Sequence, residues 1–201
     1  MKPKIPLLNR VIKRAFDFLF SLIGLIVFSW LILIAFIIAS IDTKSNGFFL
    51  QKRIGRWGKQ FSVIKIKTMK TVSKFNSTVT ASNDIRITKS GKILRKLKMD
   101  ELPQLINVLK GDMSFVGPRP DVAGFADKLK NEDQIVLTIR PGITGPATLH
   151  YKNEEEILAK QQNPERYNRE VIFPHKTVMN KNYIYNYSFL KDIVYIFRTI
   201  F

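Results

Sequence analysis

The sequence predicts a mostly helical α+β protein seated on a membrane: an N-terminal re-entrant membrane helix, a small β-hairpin and amphipathic interfacial helices. Three observations predict it. No charged residue stands between Phe18 and Ile41. Phe48 to Met69 reads as two extended arms around a glycine-containing turn, and the remaining apolar residues recur mainly at helical spacing. We therefore divide the 201 residues into a basic N-terminus with the membrane-inserted helix (1–42) and a catalytic-sized domain (43–201).

The charge-free run holds 24 residues, which as a helix extend ~36 Å, against a hydrocarbon core of ~30 Å. It exceeds the apolar region of a signal peptide and lacks a small-x-small exit. Lys2, Lys4, Arg10, Lys13 and Arg14 precede it, and Lys44, Lys52, Arg53 and Arg56 follow it. Positive flanks on both sides oppose a simple span. They predict a helix that enters, bends near Ser29 with help from Gly24, and returns to the same face.

The hairpin follows. Phe48–Gln51 forms one arm, Ile54–Lys59 carries the turn signals, and Phe61–Thr68 forms the other. Ile64 and Ile66 share a face opposite Lys65 and Lys67, two cations suited to phosphate or to solvent. Val72 to Ser82, rich in Ser and Thr, reads as a loop. Leu102, Leu105, Ile106 and Leu109 give a short helix with Pro103 in its first turn and Gly111 as its stop. Asn153 opens a polar helix that ends before Pro164. Ser188 is positioned to cap a last helix whose residues Phe189, Leu190, Ile193, Val194, Phe197, Ile200 and Phe201 line one side. That side fits a membrane interface or the domain core.

Composition narrows the function. Without cysteine there is no disulfide, thiol nucleophile or thiolate metal site, and two histidines (His150, His175) preclude a multi-histidine centre. The net charge of +17 is lopsided: residues 1–99 hold 20 Lys/Arg against three acids, and residues 100–201 hold 13 of each sign. The excess sits beside the apolar run, which favours an anionic membrane over nucleic acid.

The chemistry concentrates between Lys98 and Pro120. Asp100 and Glu101 stand at the mouth of the short helix, where a carboxylate either caps the helix or meets phosphate and a divalent cation. Consecutive side chains diverge, so the two carboxylates cannot share one job. Arg119, fixed between Pro118 and Pro120, presents a stiffly held guanidinium fork for phosphate oxygens. Arg140-Pro141-Gly142 repeats that style, and Arg86 and Arg95 add cations just before the carboxylates. No Walker A or Gly-x-Gly-x-x-Gly pattern is present.

These residues resemble the bacterial sugar transferases, small monotopic phosphoglycosyl transferases acting on polyprenyl phosphate. The resemblance covers nearly the whole chain, through Lys13-Arg14-Ala15-Phe16-Asp17, Lys65-Ile66-Lys67-Thr68-Met69 and Arg86-Ile87-Thr88. Its most specific parts are Asp100-Glu101-Leu102-Pro103-Gln104-Leu105, Gly111 to Pro120 and Arg140 to Gly145. It implies transfer of a sugar 1-phosphate from a UDP-sugar to polyprenyl (undecaprenyl) phosphate with release of UMP. Asp100 would be the nucleophile, forming an aspartyl-phosphosugar intermediate with Mg2+ bound at Asp100. Glu101 would complete the dyad, and Lys67, Arg86, Arg95, Arg119 and Arg140 would bind substrate. The place implied is the cytoplasmic face of the bacterial inner membrane, with both helix ends on that side and no nucleic acid partner. Members commonly carry Ser-Pro at the bend, where this chain has Ser29-Trp30, and Trp-Ala-Gln-Val after the last glycine, where it has Pro146 to Tyr151. The rival reading is a non-catalytic, membrane-anchored basic protein binding anionic lipid or nucleic acid.

Overall fold

The computed structural model describes residues 5–70 and 84–201, so Lys2, Lys4 and the loop expected at Val72 to Ser82 lie outside the described residues. Helix α1 runs from Leu7 to Thr43, 37 residues or ~55 Å of helix. Its helical assignment continues through Ser29, whose hydroxyl donates to the Ile26 carbonyl at 3.0 Å. The helix is thus uninterrupted at Ser29, since neither a serine nor a tryptophan removes a backbone donor as proline would, and the re-entry expected there calls for a bend within a continuous helix and not a break.

Both ends of α1 pack on one body. Near its start, Arg14 donates to the carbonyls of Val108 and Leu109 at 2.7 and 2.8 Å. Buried Asp17 accepts from the Ser114 hydroxyl and the Phe115 N–H. Near its end, Ala35 and Ala39 pack with Ile66 and Leu94, and Asp42 accepts a short hydrogen bond from Ser90. Between these anchors every residue from Ile26 to Trp30 is exposed. A helix lying flat would bury one side of each turn, so this full turn stands clear of the body.

The hairpin pairs β1 (Phe48–Ile54) with β2 (Gln60–Ile66), antiparallel, Phe48 opposite Ile66. A one-turn 3-10 segment, Arg56–Gly58, joins them; Trp57 and Gly58 both have positive φ there. Its Arg56 reaches across to the Thr138 carbonyl at 2.9 Å. Alternation along β2 is imperfect: Val63 and Ile66 are the deeply buried residues, and Ile64 is only half-buried. Val63 packs on Val108 and Met113, whereas Ile66 packs on Ala35, Ala39 and Leu94, so different elements bury the two; α3 (Gln104–Lys110) also covers the free edge of β2. Fully buried Asn107 donates to the Ser62 carbonyl at 2.8 Å and accepts the Ile64 N–H at 3.0 Å. One amide thus satisfies backbone groups that a third strand would otherwise meet.

Helix α2 (Lys89–Lys96) is capped by Thr88, whose hydroxyl accepts the Gly91 N–H. Helix α3 stops at Gly111, φ 89°, in the left-handed region as expected. A small parallel pair, β3 (Ser114–Val116) and β4 (Gly142–Thr144), packs so closely that a Cβ on Gly142 would lie 2.1 Å from the Gly117 nitrogen. Helices α4 (Pro146–His150), α5 (Glu154–Ala159), α6 (Pro164–Tyr167) and α7 (Phe173–Tyr185) complete the domain, a π-helical stretch joining the last two.

The last helix, α8 (Phe189–Ile200), turns Asp192 inward and leaves Leu190, Phe197 and Ile200 largely exposed. Ser188 occupies its N-cap position without a side-chain cap bond. Lys13 pairs with Asp192 at 2.5 Å, and Phe16 meets Phe189 edge-on, so the exposed apolar faces of α1 and α8 adjoin.

Candidate active site

A single 3-10 turn, Met99–Glu101, carries the two carboxylates. Lys98 in the left-handed region (φ 55°) reverses the chain out of α2, and Pro103 rather than Asp100 occupies the N-cap position of α3. No side chain caps α3, so the capping role open to Asp100 from sequence is not taken. Asp100 is 8% exposed and makes no hydrogen bond or ion pair among the described residues. Burial, then the neighbouring Glu101 charge, push its carboxyl up to about 6, against the opposing charges of Lys65, Arg95 and Lys98.

Glu101 is the opposite case. Its Oε1 accepts from Arg119 Nη2 at 2.5 Å and from Lys65 Nζ at 2.9 Å. Burial alone would raise this carboxyl, but the Arg119 and Lys65 charges outweigh it and hold the group well below the usual carboxylate range. Glu101 is thus a permanent anion, unable to carry a proton near neutral pH. Adjacent carboxylates with opposite environments have opposite capacities: one unpartnered and available, the other locked between two cations.

Arg119 reaches Glu101 because β1 fixes the segment that bears it. The Ile54 N–H donates to the Asp121 carbonyl at 2.8 Å, and Arg53 Nη1 donates to the Pro120 carbonyl at 3.2 Å. Beside it, burial pushes the Asp121 carboxyl up to about 6 despite Lys176 and Arg53. Arg95 pairs with Glu155 at 3.2 Å across from α5, and its buried Nη1 has no hydrogen-bond partner among the described residues.

Not every cation expected at the site lies there. Lys67 donates to the Ser45 hydroxyl at 2.8 Å, beyond the end of β2, while Lys65 supplies the ammonium at Glu101. Both lie on one strand face, so alternation alone cannot choose between them; the strand's last pairing at Ile66 leaves Lys67 past the sheet. Arg86 is engaged bidentately by Asp84. Arg140 donates to the Gly111 carbonyl at 2.7 Å and neighbours Arg14 and Arg56, away from the dyad. Arg53 and Asp121 are not singled out by any sequence pattern. Their signal is proximity to the Pro-Arg-Pro corner, which has meaning only once β1 is laid against it. His150 and His175, without local signature, meet with ring centroids 5.2 Å apart, and Tyr151 hydrogen-bonds His175 at 2.7 Å.

A buried carboxylate without a hydrogen bond or ion pair among the described residues, beside one locked by an ammonium and a guanidinium, is an arrangement suited to nucleophilic attack on a phosphorylated substrate. The family model described as bacterial sugar transferase matches residues 8–201, that is, all but the first seven residues. The chain belongs to the bacterial sugar transferase family. Among its relatives in that family is the UDP-N-acetylgalactosamine-undecaprenyl-phosphate N-acetylgalactosaminephosphotransferase of Aeromonas hydrophila, 34% identical over 94% of this chain and 43% of the relative. The UDP-glucose:undecaprenyl-phosphate glucose-1-phosphate transferase of Klebsiella pneumoniae is 34% identical over 96% of this chain and 40% of the relative. The exopolysaccharide production protein ExoY of Sinorhizobium fredii is 30% identical over 94% and 83%. The chain therefore spans less than half the length of two of these relatives and most of the third. The first two are named for different sugars, so similarity at this level does not select one.

Proposed function

We propose that the protein transfers a sugar 1-phosphate from a UDP-sugar to polyprenyl phosphate, releasing UMP and leaving a polyprenyl diphosphate-sugar. The observation that carries this reading is the contrast at the dyad: Asp100 buried and without a partner among the described residues, Glu101 tied to Lys65 and Arg119. In the first step an Asp100 oxygen bonds to the sugar-bearing phosphorus while the bond to the bridging oxygen breaks and UMP leaves with that oxygen. In the second, a phosphate oxygen of the polyprenyl acceptor bonds to the same phosphorus and the Asp100 carboxylate departs. The attacking carboxylate must be ionised, and at pH 7 a group titrating at about 6 is ~90% so. The acceptor, with a second pKa near 6, is itself mostly a dianion. Glu101 therefore has no proton to remove; it holds Lys65 and Arg119 in place for diphosphate oxygens.

The residues present fit Mg2+, which binds through one or two carboxylates together with substrate phosphates. Asp100 would hold it, together with oxygens of the substrate diphosphate. When bound, the ion neutralises diphosphate charge against an approaching anion. Arg95, with its unpartnered Nη1, is placed to supply a further donor.

We place the enzyme on the cytoplasmic face of the bacterial inner membrane. Both ends of α1 belong to one body and the exposed turn Ile26–Trp30 becomes the deepest point of a re-entrant insertion, with the apolar face of α8 lying in the interface. Incubating the purified protein and polyprenyl phosphate with a panel of UDP-sugars tests the reading. UMP release with at least one sugar, lost in Asp100→Asn, is expected. Binding of anionic lipid without turnover of any sugar would instead make it a membrane-anchored binding protein.

A further inference from the structure

Two groups of arginines stand out. In the first, Arg86, Arg95 and Arg119 each have a carboxylate partner. A second set, Arg10, Arg14, Arg56 and Arg140, forms no ion pair among the described residues. These four line a cleft of about 580 Å³ between the first turns of α1, the hairpin tip and the start of β4. Three use one edge of the guanidinium for main-chain carbonyls: Arg14 on Val108 and Leu109, Arg56 on Thr138, Arg140 on Gly111. Arg10 has a buried Nε with no partner at all among the described residues. Asp17 is the sole acid of the lining, and its Oδ1 is taken by Ser114 and Phe115.

Such a cluster is self-repelling. Arg56 is lowered by burial and then by Arg10, and Arg140 by burial and then by Arg14 and Arg56. Four half-buried cations, three of them held at fixed positions by carbonyls, face Asp17 as the one acid of the lining, and that excess of positive charge calls for an anion with several acceptor oxygens. The rest of the lining says what that anion is attached to. Leu7, Val11 and Phe18 also line the cleft and are more than half exposed, and Phe18 begins the charge-free run. An anion entering here brings an apolar tail along α1.

We propose that this cleft binds the phosphate headgroup of one anionic glycerophospholipid, fixing the depth and tilt of α1 in the membrane. It shares no residue with the dyad, so the assignment stands or falls independently of the reaction. Guanidinium forks suit a phosphodiester, and a zwitterionic lipid would bring a competing cation into an already cationic site.

Native mass spectrometry of the full-length protein in detergent, titrated with phosphatidylglycerol or phosphatidylcholine, tests it. One phosphatidylglycerol should be retained with about tenfold preference. Arg10→Gln, which costs no protein hydrogen bond and relieves repulsion on Arg56, should abolish that preference without lowering the melting temperature, and Arg10→Lys should restore part of it. Lys52→Gln removes the same charge from the exposed hairpin and should leave it intact. Equal retention of both lipids, or wild-type retention in Arg10→Gln, would overturn the proposal. Equal loss in Lys52→Gln would reduce it to general surface attraction and overturn it too. If millimolar inorganic phosphate displaces the lipid and alone gives the same thermal stabilisation, the site is one for free phosphate, not lipid.

Discussion

Replacing Asp100 by Asn should inactivate the protein and stabilise it. The carboxyl titrates near 3.8 in the unfolded chain and at about 6 in the folded one. A folded-state value raised in this way means that the neutral acid is favoured by folding and the anion is not. The associated stability is fully present below pH 3.8 and lost as pH rises through 6. A rise of that size corresponds to about 3 kcal/mol, so the ionised carboxylate costs about that much at pH 7.5 and about half of it at pH 5. Asparagine removes the charge at nearly constant shape. It must bury an amide that finds no partner, an offset of about 1 kcal/mol. The expected net gain is about 2 kcal/mol at pH 7.5, several degrees in melting temperature for a chain of this size, shrinking towards zero at pH 5. Thermal or chemical denaturation of both proteins across that pH range reads it directly. A helix cap behaves differently, since asparagine caps about as well as aspartate and the variant would then show no gain at neutral pH. Loss of stability in Asp100→Asn at pH 7.5, or retention of UMP release, would refute the reasoning.

Other outcomes follow from the same geometry. Glu101→Gln leaves Lys65 and Arg119 facing no anion; it should cost about 3 kcal/mol of stability, measured by denaturant titration. It should also shift the acid limb of the pH–activity profile downward, because Glu101 is one of the charges that raise Asp100. Lys65→Ala should lower kcat/KM by about 10²-fold or more, whereas Lys67→Ala, whose ammonium sits at Ser45, should change it only a few-fold in the same UMP-release assay. Single cysteines at Asn9 and Asn46, introduced into a chain that has none, should both resist a membrane-impermeant thiol reagent in intact cells. Labelling of one alone would mean that α1 spans.

The elements that sequence made legible are those whose local chemistry is self-sufficient. The charge-free run, the hairpin with its Gly58 turn and the Gly111 stop of α3 all follow from residues within a few positions of one another. The site is less legible because its decisive facts are relational. Asp100 in Asp-Glu-Leu-Pro reads equally as a cap and as a nucleophile, and only the place of Pro103 at the start of α3 separates them. Arg119 and Arg140 look alike as cations in stiff loops, yet the close crossing of Gly117 and Gly142 sends them to different sites. Lys65 and Lys67 share a face, and where the pairing stops decides which meets Glu101. The Lys13-Arg14-Ala15-Phe16-Asp17 motif, legible only as a flank, proves to bolt α1 to α3, β3 and α8.

The central claim is that Asp100 bonds covalently to the phosphorus of the sugar donor. Incubating the protein with a turned-over UDP-sugar in the absence of polyprenyl phosphate, then quenching and mapping peptides by mass spectrometry, tests it most directly. The account predicts one UMP released per enzyme and a sugar-phosphate mass increment on the peptide containing Asp100, discharged when acceptor is added. UMP release that requires the acceptor from the outset, with Asp100 unmodified throughout, would contradict it.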